Sequence, residues 1–168
     1  AAVSSRYSFG GVADFLFFKP TAGREALTTD SVAMLQRILH PLDEFVSVVI
    51  AERPECNQNN NFISWVRSNH RYDLCDLLRA RVEPGDSETL RDLKARSHGK
   101  PLLVYAGTEQ SIIRMGSEEQ PMVVLARADA RRACEREYLV RYCKIEEISN
   151  EPKVLEAIPE LEYSMSES

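Results

Sequence analysis

Two apolar runs decide the fold of this chain: PLLVYA at residues 101–106 and PMVVLA at residues 121–126. Each run is continuous and bounded by turn-forming residues, which is typical of strands buried on both faces of a parallel sheet. A short helix is predicted between them, through Ile112, and a longer helix over residues 129–143. Since residues 144–148 complete the pattern as an edge strand, the order predicts a βαβαβ unit with right-handed crossovers.

Working outward from this unit, we predict an α/β chain, α+β overall, in four parts. Residues 1–28 form the end of a larger α/β subdomain, with an N-terminal strand over residues 7–18 followed by a loop. Residues 29–99 form a helical connector, and residues 100–150 a small three-layer αβα domain with a short, mostly parallel sheet. Residues 151–168 are an acidic tail that we expect to be partly disordered.

The helical connector begins after Thr28, where capping residues precede an apolar repeat that extends to Val49 at helical spacing. Pro41 lies inside the repeat and predicts either a kink or two separate helices. Further helices are predicted over residues 62–68, over residues 72–82 and from Ser87 onward, with a turn at residues 83–86.

Composition excludes several classes of function. The 168 residues include 21 Lys and Arg against 26 Asp and Glu, a net charge of −5 that argues against nucleic-acid binding as the main activity. No stretch has the length of a membrane helix, and the N-terminus has no signal-peptide pattern. The four cysteines and three histidines are widely scattered, so we predict no metal site. Reduced cysteines favour a cytoplasmic protein.

The residues with the clearest chemical potential are GVAD at 11–14 and PTAGREAL at 20–27. They place Arg24 on a loop shaped by proline and glycine, just before a helix N-terminus. Such a position favours an anion, and a guanidinium adds a planar, bidentate donor that suits a phosphate. Taken alone, the pattern also allows Arg24 to pair with a carboxylate such as Asp14 or Glu25.

The spacing of this segment resembles the ninety-kilodalton heat-shock chaperones, and in particular divergent bacterial members. Their middle segment has a strand ending in G-V-x-D, a loop with proline, and S-R-E-x-L-Q opening a long helix. Asp14 and Arg24 stand at the family's separation. Further along, DLLR at 76–79, the turn at residues 85–86 and the strand at residues 100–107 are similar to family motifs in the same order. The likeness covers about residues 9–155.

The resemblance implies a segment of an ATP-dependent molecular chaperone that assists protein folding under stress. In that family the loop arginine reaches the γ-phosphate of ATP, which is bound with magnesium by a separate N-terminal domain. Arg24 would take that catalytic role, and Thr28 would contact the nucleotide where the family usually has a glutamine. The implied partners are client proteins, the N-terminal domain and a second copy of the full-length chain. This segment is not expected to hydrolyse ATP alone.

Two other interpretations remain open at the level of sequence. One is an interaction scaffold without any ATP role, in which Arg24 makes a structural salt bridge with Asp14 or Glu25. The other is a small α/β domain that binds a phosphorylated ligand at residues 107–111. The latter predicts a pocket at the carboxyl ends of the strands at residues 102–106 and 122–126, where open α/β sheets bind ligands.

Overall fold

The computed structural model describes residues 3–8, 14–23 and 26–150. Its helices are α1 (Thr29–Ala51), α2 (Asn60–Asn69), α3 (Leu90–Ser97), α4 (Gln110–Ile113) and α5 (Ala130–Tyr142), with short 3-10 helices at Pro54–Gln58 and Tyr72–Cys75. Its strands are β1 (Arg79–Glu83), β2 (Ser87–Thr89), β3 (Leu102–Tyr105), β4 (Met122–Val124) and β5 (Ile145–Ile148). The predicted α+β class is therefore confirmed.

The five strands form one mixed sheet in the order β2-β1-β4-β3-β5. β3 pairs in parallel with both β4 and β5, so the three strands predicted after residue 100 are parallel, and β5 lies at the edge as predicted. β1 pairs antiparallel with β2 and with β4, where Arg81 stands opposite Val124. This hairpin joins residues 79–89 to the same sheet as the βαβαβ unit.

The helix predicted over residues 72–82 is wrong. Its first residues form a 3-10 turn, and β1 follows. The leucines at positions 74, 77 and 78 have helical spacing, but the residues after them alternate: Arg79 and Arg81 are exposed, whereas Ala80 and Val82 are buried. That period of two is what a strand covered on one face requires. The predicted helix start at Ser87 is three residues too early, because Ser87–Thr89 form β2 and α3 begins only after its cap, Thr89.

Two predictions before residue 60 also need correction. α1 runs without a break through Pro41, so the division into two helices is wrong; proline there costs the helix one backbone hydrogen bond. In the predicted N-terminal strand, residues 14–18 form a turn in which the rings of Phe15, Phe17 and Phe18 pack with centroids 5.0–5.2 Å apart. The preceding residues 9–13, and the predicted acidic tail at residues 151–168, lie outside the described residues.

The central strands β3 and β4 are covered on both faces, which gives three layers. One face packs against α2, α3 and α5 and contains the larger apolar cluster, with Phe62, Leu93, Val123 and Leu139 each fully buried. The other face is covered by α4, whose Ile113 packs in a smaller cluster with strand residues that include Met122. Successive residues of β3 and β4 point to alternate faces, so β4 is buried on both sides. The continuous apolar runs in the sequence reflect this double burial.

Candidate functional site

The loop that carries the predicted catalytic residue is closed at its base by backbone hydrogen bonds. The Thr21 N–H donates to the Ala26 carbonyl at 2.8 Å, and the Thr28 N–H donates to the Lys19 carbonyl at 2.9 Å. Pro20 and Leu27 form an antiparallel bridge between these bonds. Arg24 lies between the paired arms in sequence but outside the described residues, so its salt-bridge and phosphate-contact interpretations both stay predictions.

The same loop is fastened to the first turn of α1. The Lys19 N–H donates to the Ser31 hydroxyl at 2.9 Å, and that hydroxyl donates to the Phe17 carbonyl at 3.3 Å. Ser31 is 3% exposed, so these bonds are shielded from water. Both arms of the loop therefore have a defined position relative to the amino end of a 23-residue helix.

Thr28, the second predicted site residue, is the N-cap of α1. Its Oγ1 accepts a hydrogen bond from the Ser31 N–H at 3.4 Å and lies 3.0 Å from the Ser31 hydroxyl. Because the Ser31 hydroxyl donates its proton to the Phe17 carbonyl, the Thr28 hydroxyl is the donor in the hydrogen bond between the two side chains. Thr28 is thus engaged in capping, and its contact with ATP stays a prediction.

Replacing Thr28 by alanine is expected to lower the free energy of unfolding by about 1 kcal/mol, because α1 loses its side-chain cap. Thr28→Ser keeps the hydroxyl and is expected to restore most of that stability. Urea unfolding of the three proteins measures the difference. If the alanine variant unfolds at the wild-type urea concentration, Thr28 does not stabilise the helix.

A second candidate site lies at the carboxyl ends of the parallel strands. The connection after β3 contains α4 and covers one face of the sheet, whereas the connection after β4 contains α5 and covers the other. Adjacent strands with connections on opposite faces define a topological switch point, the usual ligand position in open α/β sheets. A cavity of about 230 Å³ lies there, where the interpretation as a phosphate-ligand-binding domain predicts a pocket. Its lining is Val104, Ala106, Leu125, Arg132, Arg136, Glu147 and Ile148, not residues 107–111.

Beside it is a cavity of about 280 Å³ that we call the arginine pocket, lined by Arg79, Arg81, Val124, Ala126, Arg127 and Glu135. The sequence analysis did not identify this grouping of arginines. The missed signal is the alternation in β1, which places Arg79 and Arg81 on the same side of that strand. The antiparallel pairing of β1 with β4 then brings them next to the chain that leads to Arg127.

Glu135 is the acidic member of the arginine pocket and is 5% exposed. Burial raises the pKa of its carboxyl, while the hydrogen bond from Arg131, at 3.1 Å, opposes that rise. Arg131 also donates to the carbonyls of Asn57 and Arg79, which fixes it beside the pocket. Because the folded pKa is raised, the stability that Glu135 contributes is greatest below its ordinary pKa and falls as pH rises through the folded value.

The four cysteines are free thiols, and three of them lie in the apolar core. Cys56, Cys75 and Cys134 are fully buried, and the hydrogen bond with the Cys134 thiol, together with burial, raises the pKa of Cys75. Over residues 3–8, 14–23 and 26–150, no group of three histidine, cysteine or acidic side chains is arranged to hold a metal ion. In the same part of the chain, no helix is long and apolar enough to cross a membrane.

Comparison of the chain with protein-family models, with curated proteins and with solved structures finds no match. The chain is therefore described by its own fold and sites: a mixed α/β sheet, a loop with arms at residues 19–21 and 26–28 that is fastened to the N-terminus of α1, and the arginine pocket beyond the carboxyl end of β4.

Proposed function

We propose that this chain is the middle segment of an ATP-dependent chaperone that resembles the ninety-kilodalton heat-shock family. In this proposal Arg24 contacts the γ-phosphate of ATP that a separate N-terminal domain binds with magnesium. The observation that carries it is the loop at residues 19–28, whose two arms are hydrogen-bonded to each other and to the first turn of α1. The full-length protein would be a cytoplasmic homodimer that acts in the stress response.

The supporting argument concerns the position of a cation. Bound ATP supplies a transferable phosphoryl group, and its transition state is stabilised by donors that are held in place beforehand. Arg24 is two residues before Ala26, one of the two residues in the closing hydrogen bond. The charge, the planar fork and the fastened loop together suit an arginine that completes the ATPase site of another domain.

An exposed apolar stripe on α1 supports the client-binding part of the proposal. Met34, Ile38, Leu42 and Phe45 follow one another at helical spacing and are 36–65% exposed. The opposite side of α1 is polar and covered, since Asp43 accepts hydrogen bonds from the Ser5 hydroxyl at 2.6 Å and the Arg6 N–H at 3.1 Å. Apolar stripes of this kind bind apolar segments of other proteins, which is what an unfolded client offers.

Photo-crosslinking tests the position of the loop arginine. The proposed full-length protein, which includes the ATP-binding domain, is irradiated with an ATP analogue that carries an aryl azide on its γ-phosphate. The labelled peptides are then mapped by mass spectrometry. We expect label on the peptide from residues 20–28 in addition to the ATP-binding domain, and we expect excess unlabelled ATP to abolish both. Label confined to the ATP-binding domain would support the scaffold interpretation instead, in which Arg24 pairs with Asp14 or Glu25.

A further inference from the structure

Two arginines of the arginine pocket have guanidinium groups without a protein partner among the described residues. The Arg79 guanidinium donates to the hydroxyl and the carbonyl of Ser87, at 3.0 and 2.6 Å. Within the part of the chain that the structure describes, the side chains of Arg81 and Arg127 form no hydrogen bond or ion pair. Both guanidinium groups are permanently charged at neutral pH and present planar sets of N–H donors.

The carboxylates near the pocket do not neutralise these two cations. Glu135 forms its ion pair with Arg131 at 3.1 Å, so its charge is already matched. The positive charge of Arg127 also lowers the pKa of Glu135, but this effect is smaller than the increase that burial causes. Asp129, which caps α5 by accepting a hydrogen bond from the backbone N–H of Arg132, is not one of the residues that line the pocket. Counting the described residues, the pocket therefore has excess positive charge in a protein whose net charge is −5.

The fold places this charge where ligands bind in open α/β sheets. Arg127 lies in the connection between β4 and α5, immediately beyond the carboxyl end of β4. Arg81 comes from the neighbouring antiparallel strand, opposite Val124. Val124 and Ala126 give the pocket an apolar part, and its volume of about 280 Å³ suits a small molecule and not a nucleic-acid duplex.

We propose that the arginine pocket binds the phosphate groups of a small ligand, with Arg81 and Arg127 as the two charged donors. Both arginines line one cavity, and a planar guanidinium fork matches the oxygens of a phosphate or diphosphate, to which it can donate two parallel hydrogen bonds. This site is distinct from the loop at residues 19–28, and the phosphate-binding proposal does not depend on the chaperone proposal. It also differs from the ligand position expected from the sequence, residues 107–111, which do not line the pocket.

Isothermal titration calorimetry of the chain with inorganic pyrophosphate tests the site. We expect Arg81→Ala and Arg127→Ala each to raise Kd at least about tenfold, since each removes charge-assisted hydrogen bonds. Arg127→Lys keeps the charge but loses the fork, so we expect an intermediate Kd. The matched control is Arg37→Ala, which removes one positive charge from an exposed position on α1.

Three results would overturn the proposal. The first is no binding of pyrophosphate to the wild-type chain at millimolar concentration. The second is equal weakening by Arg37→Ala, which would indicate diffuse attraction to the whole surface. The third is full binding by the Arg81→Ala/Arg127→Ala double variant. Because both side chains are exposed, the variants are expected to fold; urea unfolding midpoints equal to the wild-type midpoint verify this.

Discussion

Replacing Leu139 by alanine is expected to lower the free energy of unfolding by about 2–5 kcal/mol, the usual cost of leaving a cavity in a packed core. Leu139 lies inside α5, is fully buried and belongs to the apolar cluster that joins the sheet to three helices. The measurement is urea unfolding, with the midpoint and the slope both determined. An unchanged slope would show that the loss concerns stability and not the compactness of the unfolded chain.

The matched control is Leu42→Ala, the same exchange inside helix α1. Leu42 is 38% exposed, so the alanine variant loses fewer packing contacts and we expect a loss below about 1 kcal/mol. Equal losses in the two variants would contradict the assignment of the core to the sheet and its covering helices. Equal losses would mean that the apolar stripe of α1, which is exposed in this structure, is packed against another surface of the protein in solution.

How far the sequence predicts this fold depends on whether a pattern is local. β3 and β4 were predictable because each is an apolar run bounded by turn residues, and α5 because Asp129 precedes it as a cap. β1 was not, because its neighbouring leucines have helical spacing and only one of its two strand partners, β2, is close in sequence, whereas β4 comes much later in the chain. Strand formation depends on such distant partners more than helix formation does.

The two candidate sites differ in the same way. The capping role of Thr28 follows from local chemistry, since threonine before a helix satisfies a free N–H of its first turn. The arginine pocket could not be predicted, because Arg81 and Arg127 come together only through the antiparallel pairing of β1 with β4. The apolar spacing of α1 predicts a helix correctly, but it does not predict which face of that helix is buried. Its polar face is the covered one, where Ser47 is fully buried.

The second large effect concerns ATP hydrolysis, and it tests the central proposal most directly. The measurement is steady-state kcat, with Kd for ATP determined separately, in the longer protein with Arg24 or Ala at position 24. Losing one donor that stabilises the transferred phosphoryl group lowers kcat about 100-fold or more while ATP binding is nearly unchanged. Arg37→Ala, an equal charge change on the exposed side of α1, is expected to leave kcat unaltered. An Arg24→Ala protein that folds normally and keeps the wild-type kcat would contradict the proposed role of the loop.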